Sequence, residues 1–279
     1  MLHIVDRVGY QALFDETNLF DTIDFAERND FPVVEANMNS PYFLPEKLDR
    51  GGRLRLRRRL EGSGVRLILH APEGMGIINV QTAVREGCIE RMKELVDFAE
   101  QVGAARITFH VGSSVPIVSC GERVLLHTIY GDEYRHAFVT GLSRIMEYSR
   151  NRVAICIENT TGFRYDFVQE SLPEFFKDGV CLTWDIGHAN YLKNTHPETD
   201  IDFFLAHLDR VKVVHLHDNH GSRDEHNIVG DGTVDFAYFL SFVDSPGIDL
   251  IFEVRPREKT LICRENLRRI LAREKKSAL

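Results

Sequence analysis

The chain has 279 residues, 43% of them apolar, and a formal net charge of −8. The length suits one α/β barrel of about 250 residues, and the acidic balance argues against general attraction to nucleic acid or an anionic membrane surface. The longest apolar run falls far short of the ~20 residues a membrane span needs, and residues 1–11 lack the basic region and apolar core of a signal peptide. The five cysteines, Cys88, Cys120, Cys156, Cys181 and Cys263, contain no Cys-x-x-Cys. Their odd number and scatter predict a reducing, cytoplasmic setting and buried apolar thiols, not a disulfide framework or a cysteine metal site.

Short apolar runs rich in β-branched residues recur along the chain, and amphipathic stretches lie between them. Strands are predicted at residues 3–5, 32–36, 66–70, 105–110, 153–158, 180–185, 211–217 and 249–254. Their continuous apolar character fits strands covered on both faces. Helices are predicted at 19–28, at 45–61 with Pro45 at the start, and at 83–102 with Gly103 as the C-terminal cap. Further helices are predicted at 133–150, 172–177, 201–208, 236–242 and 260–273. The longest connection, 111–132, is expected to carry a short helix or a lid. The basic run from Arg53 to Arg59 reads as a solvated helix face pairing with nearby acids, with an anion or subunit contact as the alternative. Eight strand–helix pairs without a linker imply one domain, 1–279, folded as a closed parallel (β/α)8 TIM barrel.

The strand ends carry the chemistry. The third predicted strand ends in His70 and the fourth in His110. The fifth ends in Glu158, and the sixth in Asp185 with His188 three residues on. The seventh passes through His215, and Glu253 closes the eighth. From Val213 to Phe236 the chain reads VVHLHDNHGSRDEHNIVGDGTVDF, adding His217, Asp224 and His226 before the tight turn Gly230-Asp231-Gly232. In a parallel barrel the C-terminal strand ends share one mouth, where barrel chemistry is built. Buried carboxylates and imidazoles are costly unless they pair or bind metal. One strand-end histidine is ordinarily a hydrogen-bonded core residue, but six such ends in succession point to a divalent metal centre. Mixed imidazole and carboxylate donors suit zinc or manganese. Asn159 and Glu35 are expected either to line the pocket or to hydrogen-bond behind the ligands. Strand alternation turns Trp184 away from Asp185 into the barrel–helix core.

The runs HAP at 70–72, FHVGS at 109–113, IENT at 157–160, WDIGHAN at 184–190, HLHDN at 215–219, DEH at 224–226 and GDG at 230–232, with Glu253, resemble the xylose isomerase-like barrels. That superfamily includes sugar phosphate isomerases and epimerases and the endonuclease IV family. The resemblance covers the third strand to the eighth; the first two strands match loosely. Its pattern is specific for the superfamily, not for one activity. In epimerase-like members the residues matching Glu158, Asp185, His215 and Glu253 hold a metal, the two glutamates act as acid and base, and the match to His188 touches substrate. His217 is a further candidate substrate contact. In endonuclease IV three zincs occupy the same mouth. The matches there are His70, His110 and Glu158 for one ion, and Glu158, Asp185, His215 and Glu253 for a second. His188, Asp224 and His226 match the ligands of the third. The resemblance therefore implies one to three ions.

Either chemistry suits such a site. In isomerisation or epimerisation a divalent ion polarises a carbonyl and carboxylates move the proton. In phosphodiester cleavage clustered metals generate hydroxide and clamp the phosphate. Two departures weigh against the nuclease. Arg7-Val8-Gly9-Tyr10-Gln11 stands where endonuclease IV carries Gly-Ala-His-x-Ser, and Glu73 stands where it carries a tyrosine set against DNA. The sequence therefore predicts a metal-dependent sugar or sugar-phosphate isomerase or epimerase with a small-molecule partner. An endonuclease IV-like phosphodiesterase acting on abasic DNA and a non-catalytic metal- and ligand-binding barrel are the alternatives.

Overall fold

The computed structural model describes residues 2–150, 152–192 and 200–277. Eight parallel strands close into a barrel: β1 (Val8–Ala12), β2 (Val33–Asn37), β3 (Arg66–His70), β4 (Arg106–Phe109), β7 (Ala154–Glu158), β8 (Cys181–Asp185), β9 (Val211–Leu216) and β10 (Asp249–Phe252). Each pairs with its neighbours in parallel, and β10 returns to β1. The remaining two strands, β5 (Pro116–Ser119) and β6 (Glu122–Leu125), form a separate antiparallel hairpin after β4.

Helices α1 (Leu19–Arg28), α2 (Arg50–Ser63), α3 (Thr82–Val102), α4 (Gly131–Ser149), α5 (Asp166–Ser171), α6 (Ile186–Leu192), α7 (Asp200–Ala206), α8 (Phe236–Phe242) and α9 (Glu258–Ser277) accompany the barrel strands. Local chemistry sets their ends. The Asn18 side chain accepts from the Phe20 and Asp21 amides and starts α1. Gly103 takes φ 85° and ends α3, a conformation that costs glycine no side-chain clash.

Three predicted elements differ from the structure. Residues 3–5 are not the first strand; they lie in a 3-10 helix, Leu2–Arg7, that packs against α9 and buries Ile4 and Val5 completely. The true β1 was obscured by Gly9 and Gln11. A Cβ at Gly9 would come within 1.8 Å of the Val33 carbonyl oxygen, so close strand packing demands the glycine. The 111–132 connection, expected to carry a short helix or a lid, carries the β5–β6 hairpin and then a short 3-10 helix, Leu126–Thr128. The short helix expected at 172–177 is a 3-10 stretch, Leu172–Asp178, continuing from α5.

The barrel interior holds an apolar layer of Val33, Ile68, Cys156, Val213 and Ile251. Below it, the buried Asp249 carboxylate takes the Arg66 and Arg106 guanidiniums and closes the floor. Between strands and helices lies the larger core. Trp184 faces outward into it and stacks on Phe204 at 5.2 Å. On α2, Arg59 bridges Asp24 and Glu27 of α1 at 2.6 and 2.5 Å, and Arg57 pairs with Glu61 at 3.1 Å, so those arginines serve helix-surface pairing. The expectation that all five thiols are buried fails: Cys120 is exposed, and Cys88 and Cys181 are partly so. Among the described residues no helix is long and apolar enough to cross a membrane.

Candidate metal centre

The strand ends bring the acidic and imidazole side chains to one mouth. Three groups of donors form there, each with its ligand atoms within 4.8 Å of one another: His70, His110 and Glu158; Glu158, Asp185, His215 and Glu253; and His188, His217, Asp224 and His226. Glu158 belongs to the first two. Its Oε2 meets His70 Nε2 at 3.1 Å and His110 Nε2 at 2.9 Å, while Oε1 faces His188 Nδ1 at 3.4 Å and His215 Nδ1 at 3.7 Å. His215 Nδ1 also lies 3.1 Å from Glu253 Oε2 and 3.7 Å from Asp185 Oδ2. In the third group Asp224 Oδ2 lies 3.2 Å from His188 Nε2 and 3.1 Å from His226 Nε2.

Ring orientations are fixed from behind. His70 Nδ1 lies 2.8 Å from the Ala71 carbonyl, which turns Nε2 to Glu158. His226 Nδ1 lies 3.0 Å from the Glu253 carbonyl, which turns Nε2 to Asp224. His215 Nε2 lies 3.0 Å from Glu35 Oε2, which leaves Nδ1 facing the carboxylates. Glu35 is itself fully buried and accepts from Gln11 Nε2 at 2.8 Å and Thr108 Oγ1 at 3.0 Å. Such a carboxylate–imidazole contact sets the tautomer and raises the basicity of a ligating nitrogen.

Among the described residues, the buried nitrogens His215 Nδ1 and His188 Nδ1 have no hydrogen-bond partner, although carboxylate oxygens surround them. Unmade hydrogen bonds on buried groups are costly, and a cation held by Glu158, Asp185 and Glu253 would satisfy His215 Nδ1. The donor set thus fits a divalent ion.

The electrostatics agree. Burial raises the Glu158 carboxyl, but the His110 and His215 charges outweigh it and hold the group well below the ordinary carboxylate range. Glu253 behaves alike: burial raises it, and His215 and His226 pull it down further. Conversely, burial disfavours the charged His70 and His226 rings, but neighbouring carboxylates lift each to about 9. The carboxylates draw positive charge to the mouth, the role a metal fills.

Asn159 and Glu35 stand behind the ligands. The Asn159 carboxamide accepts from the Asp185 amide at 2.7 Å and donates to the Asp185 carbonyl at 2.8 Å, fixing the end of β8. Both are fully buried, and their hydrogen bonds run to groups behind the ligands. His217, expected at the substrate, stands within the third donor group. Its Nε2 lies 3.0 Å from Asp185 Oδ1, and its ring stacks on His226 at 3.9 Å. A Cβ at Gly187 would come within 2.2 Å of the His217 ring, so glycine there admits the imidazole. Sequence reasoning missed Asp218, which shapes the loop. Its carboxylate accepts from the Asn219, Gly230 and Val234 amides at 2.9, 2.9 and 3.0 Å and ties the Gly230–Gly232 turn beneath Asp224 and His226. An aspartate directly after a strand and before a glycine turn was the available signal.

A cavity of about 300 Å3 opens beside His110, bounded by Glu73, Gly76, Gly112, Ser113 and Thr160. A Cβ at Gly112 would approach Gly76 Cα to 2.5 Å, so the wall needs both glycines. Glu73 Oε1 accepts from Asn39 Nδ2 at 3.1 Å and Asn37 Nδ2 at 3.3 Å, which holds the carboxylate at the cleft.

Comparison with known proteins follows this geometry. An uncharacterized protein of Methanocaldococcus jannaschii is 28% identical over 213 residues, covering 72% of this chain and 67% of that protein. The crystal structure of a D-tagatose 3-epimerase-like protein is similar with a TM-score of 0.77 at 23% identity, covering 98% of this chain and 100% of that one. Endonuclease IV from Thermus thermophilus is similar with a TM-score of 0.70 at 19% identity, covering 96% of this chain and 99% of that one. The two structural likenesses show a shared fold. A family model for the xylose isomerase-like TIM barrel matches residues 23–273, most of the chain, and the chain belongs to that family.

Proposed function

We propose that the chain is a divalent-metal-dependent sugar or sugar-phosphate isomerase or epimerase. The observation that carries this reading is the convergence of Glu158, Asp185, His215 and Glu253 from β7, β8, β9 and the end of β10. These four would hold a zinc or manganese ion, whose contribution is to polarise a substrate carbonyl and an adjacent hydroxyl. Glu158 and Glu253 come from strands on either side of His215 and Asp185, so they flank whatever occupies the mouth. One would take the proton on carbon, and the other would carry a proton in that step and give it back; the imidazoles beside them favour the ionised form that the base needs. Glu253 Oε1 also lies 3.4 Å from the Arg255 guanidinium, which steadies its charge. His188, at the edge of the same group, is placed to meet a substrate hydroxyl. The narrow cleft with Glu73 on its wall suits a small polyhydroxy substrate better than a polyanionic duplex. The likeness to a D-tagatose 3-epimerase-like protein accords with the same reading.

One observation favours a second reading. Three donor groups joined through Glu158 match the ligand set expected of an endonuclease IV-like phosphodiesterase with several zincs. A paired assay separates the two. A panel of ketoses, aldoses and their phosphates is run beside a labelled abasic duplex, each with zinc, manganese and magnesium. Sugar turnover with an intact duplex supports the proposal. Metal-dependent duplex cleavage without sugar turnover assigns the second reading, and ligand binding without turnover of either leaves a binding barrel.

A further inference from the structure

Away from the mouth, two cysteines are placed together near the barrel floor. Cys156 on β7 and Cys181 on β8 are direct Cα partners in the parallel ladder. Neighbouring strands lie about 4.8 Å apart, inside the Cα separation of roughly 4.4–6.8 Å that a disulfide spans. Both side chains face the interior: Cys156 belongs to the inner apolar layer and Cys181 packs against it. Their side chains therefore stand beside each other on the inner face of the sheet. We propose that Cys156 and Cys181 are a reversible dithiol–disulfide pair, oxidised by a small hydroperoxide that reaches Cys181 from the barrel floor.

The two thiols are unequal in the way such a pair requires. Cys156 is fully buried. Cys181 is partly exposed at the N-terminal end of β8, 3.5 Å from the Gly179 carbonyl. The adjacent Cys156 side chain lowers the Cys181 thiol, burial opposes, and Lys212, Arg106 and Arg210 lower it again, to about 7. A partly exposed thiolate among cations is the reactive kind of cysteine. The adjoining strand also has slack: β9 carries one extra residue, Lys212, opposite the Leu182–Thr183 step of β8, one residue from Cys181. Such an irregularity lets a strand bend without breaking its neighbours.

The chemistry balances with peroxide as the oxidant. The Cys181 thiolate attacks one peroxide oxygen, the O–O bond breaks, and Cys181 becomes a sulfenic acid as hydroxide leaves and takes a proton. The Cys156 sulfur then attacks the Cys181 sulfur; the S–S bond forms, the S–O bond breaks, and water leaves carrying the Cys156 proton. Two thiols and one peroxide give one disulfide and two waters. A dithiol reductant reverses the link by two exchanges.

The test treats the intact, metal-loaded protein with one equivalent of hydrogen peroxide, then maps peptides without reduction. The expected result is a single Cys156–Cys181 link, loss of two free thiols, and recovery of both on treatment with dithiothreitol. In Cys156→Ser, Cys181 is expected to stop at a sulfenic acid that dimedone traps; in Cys181→Ser, Cys156 is expected to stay reduced. Oxidation confined to the exposed Cys120, with Cys156 and Cys181 still free, would overturn the proposal. So would conversion of wild-type Cys181 to a sulfinic acid that dithiothreitol does not reverse. The wild-type map alone decides the matter if either variant fails to fold.

Discussion

Glu35→Gln isolates the contribution of one buried carboxylate to the metal centre. Glu35 Oε2 lies 3.0 Å from His215 Nε2 and 2.8 Å from Gln11 Nε2, and Oε1 lies 3.0 Å from Thr108 Oγ1. Burial raises the Glu35 carboxyl, but His215, His70 and Gln11 together lower it below the ordinary carboxylate value, so the group is ionised at neutral pH. Glutamine keeps the volume and one carbonyl acceptor for His215. Thr108 can turn its hydroxyl to accept, because its contact with Thr183 at 3.0 Å works with either donor. The change therefore replaces a charged imidazole–carboxylate contact with a neutral one, a difference of about 1–1.5 kcal/mol. That corresponds to roughly tenfold weaker metal binding, at the lower end of the 10- to 100-fold range for groups behind a metal ligand. Glu35→Ala leaves the His215 and Gln11 donors without an acceptor and is expected to lower fold stability as well. Chelator-competition titration of zinc gives the affinity, and thermal unfolding with and without metal separates affinity from folding. Glu35→Gln made in a His215→Ala background is expected to show no further loss. An unchanged affinity in Glu35→Gln alone would show that His215 does not bind through Nδ1, and the reasoning would fail.

Other expectations follow from the same geometry. Glu158→Gln and Glu253→Gln are each expected to lose most activity and to weaken metal binding in the same titration, because each glutamate serves both as ligand and in proton transfer. Gly187→Ala sets a Cβ against the buried His217 ring at 2.2 Å; overpacking of this kind costs about 1–3 kcal/mol, so thermal unfolding is expected to move down, with weaker binding at the His188–Asp224–His226 group. Metal uptake is expected to release protons, measurable in weakly buffered solution, with affinity increasing as pH rises towards about 9, since His70 and His226 are lifted to about 9 by their carboxylates. The sign for stability is the reverse: those raised groups stabilise the metal-free fold fully below the ordinary histidine pKa, and the contribution fades as pH climbs through about 9. A metal-free protein that gains stability across that window would contradict the assignment.

Much of the barrel was legible because its buried strands are short β-branched runs and its helices carry clear end signals. The mouth was legible for a related reason: His70, Glu158 and Asp185 each follow an apolar run directly, where a charge has no structural excuse. The misplaced first strand shows the limit. Ile4 and Val5 are as apolar as a strand, yet they plug a 3-10 turn, while β1 carries Gly9 for close packing and Gln11 to serve Glu35. The β5–β6 hairpin was hidden because exposed strands such as Pro116–Ser119 have no buried face to enforce a pattern. His217 lies two residues after His215, so strand alternation placed it on the inner side; only the missing side chain of Gly187 reveals how it reaches Asp185. The in-register pairing of Cys156 with Cys181 depends on which strands adjoin and in what register, which local sequence does not encode.

The central claim is that Glu158, Asp185, His215 and Glu253 hold one divalent ion. Anomalous diffraction from crystals grown with zinc or manganese, collected at the metal edge, tests it most directly. The account expects a peak bounded by the four side chains, with His215 bonding through Nδ1 while Nε2 stays on Glu35. A map with no peak there, and with His215 hydrogen-bonded to Glu253 as a simple ion pair, would contradict it.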